Sequence, residues 1–191
     1  MATVRDVLDN YFRLRGFCDA LREAVSRRYG DQLACRPGCS GCCILAGVNM
    51  LEAAVLLLAR RDRPHPPVRP AGPVGLEDDI PCPLLHKGLC GLYPARPLIC
   101  RTHGLPLRGA SLTGGRTDCC PLNFPAFDLE TIEPDLILDA DEVTMNLMRL
   151  NLAFCMLLQV PALAGERLSL AALLSGDVPA ALRTLLDRHD L

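Results

Sequence analysis

Four thiols stand within nine residues in the stretch CRPGCSGCC, residues 35–43, where Cys35, Cys39, Cys42 and Cys43 are separated only by Arg, Pro, Gly and Ser. Five more cysteines follow in two looser groups, Cys82, Cys90 and Cys100, then Cys119 and Cys120. Thiolates two or three residues apart can converge on one ion, as sulfur ligation of zinc or of an iron–sulfur cluster requires. Pro37, Gly38 and Gly41 supply the turns that let a backbone wrap such an ion. All nine are therefore candidate metal ligands. Neighbouring side chains on extended backbone point to opposite sides, so Cys42 and Cys43, and likewise Cys119 and Cys120, are not expected to bind one small tetrahedral ion together. Nine thiols can build two four-coordinate sites with one left over, or one site accompanied by further thiols.

The remaining two cysteines, Cys18 and Cys155, lie on apolar helical faces and read as core, where a free thiol behaves as a small hydrophobe. The odd total of 11 cannot be fully paired in disulfides. The N-terminal MATVRDVLDN carries acidic residues and no apolar stretch of signal-peptide type, which predicts a cytoplasmic location, where thiols stay reduced and dense cysteine points to metal or redox chemistry. A net charge of −2 offers no electrostatic footprint for nucleic acid or an anionic membrane. No apolar run approaches the roughly 18–20 residues needed to span a bilayer. His103, three residues after Cys100, is a weaker ligand candidate than the thiols, and His65, His86 and His189 are weaker again.

The elements that must position these groups are mostly helical. Apolar residues at three- and four-residue intervals predict a long amphipathic helix over 3–29, with Thr3 as N-cap and Gly30 as stop. Asn49 followed by Glu52 predicts the start of a second helix through EAAVLLLARR. Seven prolines over 62–83 predict a surface connection. The Lys87-Gly88 pair predicts a small hairpin. Asp139 with Glu142 starts a third helix, with Val143, Leu147, Leu150, Phe154, Leu157 and Leu158 on one face and Pro161 as its end. Ser169 starts a short helix, and Asp177 is expected to cap a last one. The expected fold is mostly α: a single domain over 1–191, a helical scaffold around a loop-built, cysteine-rich metal core at about 35–120, with at most short β-hairpins.

CRPGCSGCC followed by CPLL and LCGLYPARPLICR resembles the cysteine-cluster family with the CxxCxxCC signature, a zinc- or iron-chelating family whose related region also occurs in flagellin lysine N-methylases. The resemblance covers about 35–120 and includes Tyr93, Arg96, Pro97, Cys100 and Arg101. It implies metal chelation. It does not carry methyl transfer to this chain, which has no Gly-rich strand-turn-helix of a nucleotide-binding domain. Because RPLICR fits the family pattern, Arg96 and Arg101 are expected to offset the negative charge of a thiolate centre, with Tyr93 donating its hydroxyl to sulfur or packing beside it.

Cys35-x3-Cys39-x2-Cys42 also has the cysteine spacing of radical S-adenosylmethionine enzymes, but the alternating strands and helices of their barrel are missing. Two readings from different classes remain. The chain is a metal-binding protein, holding an iron–sulfur cluster of [4Fe-4S] type or else structural zinc, with a redox, sensing or metal-handling role. Alternatively it is a cluster-dependent enzyme, such as a methyl-transferring relative of the flagellin methylases. No serine-histidine-acid set or phosphate-binding loop supports independent catalysis, which favours the first. Two regular C-x2-C hooks, the usual mark of a zinc ribbon, are also missing, and this favours iron–sulfur over zinc. The sequence names no protein partner.

Overall fold

The computed structural model describes residues 2–61 and 80–187. The proline-rich connection expected from 62 onward lies outside the described residues as far as 79, as do His65 and His189. The chain is mostly α: α1 (Val4–Tyr29), α2 (Met50–Arg61), α3 (Leu98–Thr102), α4 (Ala110–Thr113), α5 (Ala140–Leu157), α6 (Leu170–Ser175) and α7 (Ala180–Leu186). Among the described residues, seven two-residue strands pair between them: β1 (Gly47–Val48), β2 (Leu85–His86), β3 (Leu89–Cys90), β4 (Leu107–Arg108), β5 (Thr117–Asp118), β6 (Leu138–Asp139) and β7 (Leu168–Ser169).

Helix starts follow the capping residues. The Thr3 hydroxyl accepts the Asp6 N–H, and the Asp6 carboxylate accepts the Thr3 N–H at 2.8 Å, a reciprocal box that starts α1. Asn49 Oδ1 accepts the Glu52 N–H at 2.9 Å and starts α2. Asp139 and Ser169 do the same for α5 and α6. Asp177 does not cap the last helix. Pro179 occupies the N-cap position and α7 begins at Ala180, because proline presets the backbone for a helix start without needing a donor.

The chain divides into two compact units. The first takes Met1–Leu8, Pro37–Pro97 and Leu150–Leu191. Its core is α2, buried from Met50 through Leu56 and packed against α6 and α7. Antiparallel β1 and β7 close the entry to α2, with Val48 opposite Leu168. From the end of α5, Phe154 and Cys155 are fully buried, as expected of that face, but Leu157 is exposed. Its place among the buried positions is taken by Asn151, 3% exposed, which accepts the Leu51 N–H at 3.0 Å and donates to the Ala164 carbonyl at 2.8 Å. A helix's first N–H groups have no partner of their own, so a buried start such as that of α2 needs an acceptor from elsewhere.

The second unit takes Asp9–Arg36 and Leu98–Arg149. Its strands form one small sheet in the order β5-β4-β6, antiparallel between β4 and β5 and parallel between β4 and β6. At the end of α1, the rings of Tyr29, Phe124 and Phe127 meet edge-on with centroids 5.5–5.6 Å apart. These contacts hold the loop after Cys120 although Phe124 has a φ of +51°, a conformation that costs a bulky residue on the order of 1–3 kcal/mol.

Truncating Asn151 removes the acceptor for one buried amide and the donor to another carbonyl. Asn151→Ala is expected to lower unfolding free energy by about 1–3 kcal/mol in a denaturant titration. An unchanged midpoint would show that Asn151 does not support the start of α2.

Candidate metal centre

All 11 cysteines are free thiols. In the first unit two turns present sulfur. The Cys43 N–H bonds to the Ser40 carbonyl at 2.9 Å and closes the turn after Cys39; the Cys43 carbonyl then accepts the Cys82 N–H at 2.7 Å. A second turn follows, from the Leu85 N–H to the Cys82 carbonyl, and leads into the expected hairpin, where Leu85 pairs with Cys90. Lys87 and Gly88, with φ of +49° and +78°, form its turn, the conformation that suits the twist of two short strands. A Cβ on Gly88 would lie 3.7 Å from the Gly38 Cα, so the hairpin tip rests against the CRPGC turn.

This wiring brings Cys43, Cys82 and Cys90 within electrostatic reach of one another. Burial pushes the Cys82 thiol up to about 11, and the negative forms of Cys90 and Cys43 push in the same direction. Burial likewise raises Cys90, whereas the nearby Arg96 guanidinium lowers it. Arg96 is fixed by two contacts: its Nε donates to the Tyr93 carbonyl at 3.0 Å and its guanidinium lies 3.5 Å from the centre of the exposed Tyr93 ring. Cys42 is exposed and Cys43 half-buried. Cys39 is half-buried in the same loop.

The second unit gathers Cys35, Cys119 and Cys120 around Asn123, which is 3% exposed. Asn123 Nδ2 donates to Cys35 Sγ at 3.4 Å and to the Gly104 carbonyl at 2.6 Å, while its Oδ1 accepts the Ala34 N–H at 2.9 Å. The Asn123 N–H closes a turn onto the Cys120 carbonyl at 2.9 Å. A Cβ on Gly104 would stand 2.8 Å from Cys35 Sγ and 3.9 Å from the Cys120 Cβ; the Cys119 thiol lies 3.7 Å from the Asn123 carbonyl, and burial first, then Asp118, Cys120 and Cys35, push it up to about 11. With a φ of +88° and sulfur at that distance, position 104 accommodates only glycine.

Cys100 is half-buried in α3. Next to it Arg101 is 4% exposed and its Nη1 contacts both oxygens of Asp19, at 2.7 and 2.6 Å. Its carbonyl accepts from the Arg22 guanidinium, whose Nε lies 3.1 Å away. Cys18 and Cys155 are fully buried, as expected of core thiols. Burial pushes Cys18 up to about 11, Asp19 adds to the rise and Arg101 opposes it. His86 and His103 are exposed. Sequence patterns give no sign of Asn123 or Asp19, since a single Asn or Asp carries no periodicity.

Among the described residues no three His, Cys, Asp or Glu side chains stand together as a finished ligand set. The donor set itself, thiols carried on turns, suits a soft cation or an iron–sulfur cluster.

Residues 34–108 match the model of the CxxCxxCC family, described as "Putative zinc- or iron-chelating domain". The matched segment contains Cys35, Cys39, Cys42, Cys43, Cys82, Cys90 and Cys100 and stops before Cys119 and Cys120. No curated protein and no solved structure matches the chain.

Removing Asp19 leaves the buried Arg101 charge without its carboxylate. Asp19 itself is 41% exposed, so Asp19→Ala is expected to destabilise the protein by about 1–3 kcal/mol in chemical denaturation, the scale of leaving a buried polar group without its partner. An unchanged midpoint would contradict a supporting role for this ion pair.

Proposed function

We propose that the protein is a cysteine-ligated metal protein with a redox role, and that its first unit holds an iron–sulfur cluster drawn from Cys39, Cys42, Cys43, Cys82 and Cys90. The observation that carries this reading is the backbone join between the two cysteine segments: the Cys43 carbonyl accepts the Cys82 N–H at 2.7 Å, and the turn that follows leads into the hairpin in which Leu85 pairs with Cys90. The family description, zinc- or iron-chelating, supports the metal. The absence from the sequence of two regular C-x2-C hooks supports a cluster over a zinc ribbon.

When bound, such a cluster supplies a one-electron couple. The chain's own contribution is to present the thiols on two turns joined through the Cys43 carbonyl and to set a cation beside them. Arg96 serves as that cation, because it reaches Cys90 and the Tyr93 ring limits its freedom. A guanidinium close to a negative centre favours the more negative, reduced state. No helix among the described residues is long and apolar enough to cross a membrane, and no part of this reading needs one.

Full-length protein isolated without oxygen is expected to contain iron and acid-labile sulfide and to absorb in the visible; colourless protein with zinc and no sulfide would overturn the cluster and leave zinc chelation. Cys39→Ala and Cys82→Ser should each lose metal while Cys18→Ala retains it, and equal metal in all three would overturn the ligand assignment. Arg96→Gln should keep its metal and shift the reduction potential downward. An unchanged or raised potential would remove Arg96 from the centre.

A further inference from the structure

In the second unit β4 and β6 run parallel and end side by side, Arg108 opposite Asp139, and each passes into a helix, β4 through Gly109 into α4 and β6 directly into α5. Parallel strands that finish together leave a crevice beyond their carboxyl ends. Here it is an open cleft of about 420 Å³ whose lining combines apolar Pro134, Ile137 and Leu138 with the charged Arg108, Asp139 and Asp141. We propose that this cleft binds a small zwitterion of the aliphatic α-amino-acid class, with its ammonium on Asp139 and Asp141, its carboxylate on Arg108 and its side chain against the apolar residues. The inference is independent of the metal centre, and no thiol takes part in it.

Each charged group keeps bonding capacity that the fold does not use. Asp139 Oδ1 accepts the Glu142 N–H at 2.8 Å, and Asp141 Oδ2 accepts the N–H groups of Ala110 at 2.7 Å and Ser111 at 3.4 Å. The second oxygen of each has no hydrogen bond among the described residues, and a carboxylate offers about four lone-pair positions. Both can therefore still accept ammonium protons. Arg108 commits Nη2 to Thr117 Oγ1 at 2.7 Å and Glu130 Oε2 at 3.0 Å, while its Nε is buried and has no partner among the described residues. A buried donor without an acceptor is unfavourable, and a ligand carboxylate in the cleft supplies one. Gly109 helps to seat Asp141: a Cβ at 109 would come within 3.1 Å of Asp141 Oδ1.

The mixture of charges selects the ligand. A simple anion meets two carboxylates already placed at the starts of α4 and α5, and a simple cation meets the Arg108 guanidinium. A molecule carrying both charges satisfies all three groups. The apolar lining favours an aliphatic side chain over a polar one, and the volume lies within the roughly 300–1,000 Å³ of small-molecule sites.

The test adds L-leucine to isotope-labelled full-length protein and follows its backbone amide signals by NMR. Isocaproate, which lacks the ammonium, and isoamylamine, which lacks the carboxylate, serve as comparison probes. Saturable shifts at Gly109, Ala110 and Gly115 are expected with leucine, and either comparison probe should bind about tenfold or more weakly, because each forfeits one set of charge-assisted bonds. Asp139→Asn and Asp141→Asn keep an oxygen that can accept the same helix N–H groups; each should weaken leucine binding by about tenfold with an unchanged circular dichroism spectrum. Equal binding of leucine and either comparison probe, leucine binding at full strength in both variants, or no saturable shift at those amides overturns the proposal. If a variant fails to fold, the three probes on the unaltered protein decide.

Discussion

A loop made of Cys, Gly, Pro, Arg and Ser has almost no apolar surface to bury, so its sulfurs must be held by directional bonds to chain that is itself anchored. The cysteine-bearing loops of this protein work within that constraint. In the first unit the Cys43 carbonyl receives the Cys82 N–H, and the hairpin that carries Cys90 continues from the same turn. In the second, one buried asparagine ties Ala34, Gly104 and Cys35 together. Each such bond contributes only about 1 kcal/mol net, and the apolar packing that makes it dependable lies elsewhere, in α2 with α6 and α7, and in the rings of Tyr29, Phe124 and Phe127.

Electrostatics sets the second condition. Thiols massed in partial burial resist ionisation, as Cys82 and Cys119, both pushed up to about 11, make plain. An ion held by several thiolates would offset their charges together. The same reasoning separates the two arginines. Arg96, half-buried on an exposed ring, reaches Cys90, whereas the buried Arg101 pairs with Asp19 and has its charge largely committed there. RPLICR, read as a pattern, treats them alike; the structure does not.

Much of the scaffold was legible because helix boundaries are local. Thr3, Asn49, Asp139 and Ser169 announce their helices through side chains that bond within three residues, and Lys87-Gly88 announces its hairpin through backbone preference. Asn151 and Asn123 were illegible for the opposite reason. Their partners are the Leu51 amide, the Gly104 carbonyl and the Cys35 sulfur, far away in sequence. Leu157 was misplaced because the apolar stripe of α5 is wider than its buried strip, leaving Met148, Leu152 and Met156 exposed. The cysteine spacing points to sulfur chemistry; it does not reveal that adjacent Cys42 and Cys43 differ in burial while Cys119 and Cys120 are both half-buried, since that depends on where each turn bends.

The central claim is that cysteine sulfur, presented by turns, is what holds metal in this protein. X-ray absorption at the K-edge of the metal in full-length protein isolated without oxygen tests it most directly. The account predicts a first coordination shell of sulfur. A first shell of nitrogen and oxygen would contradict it.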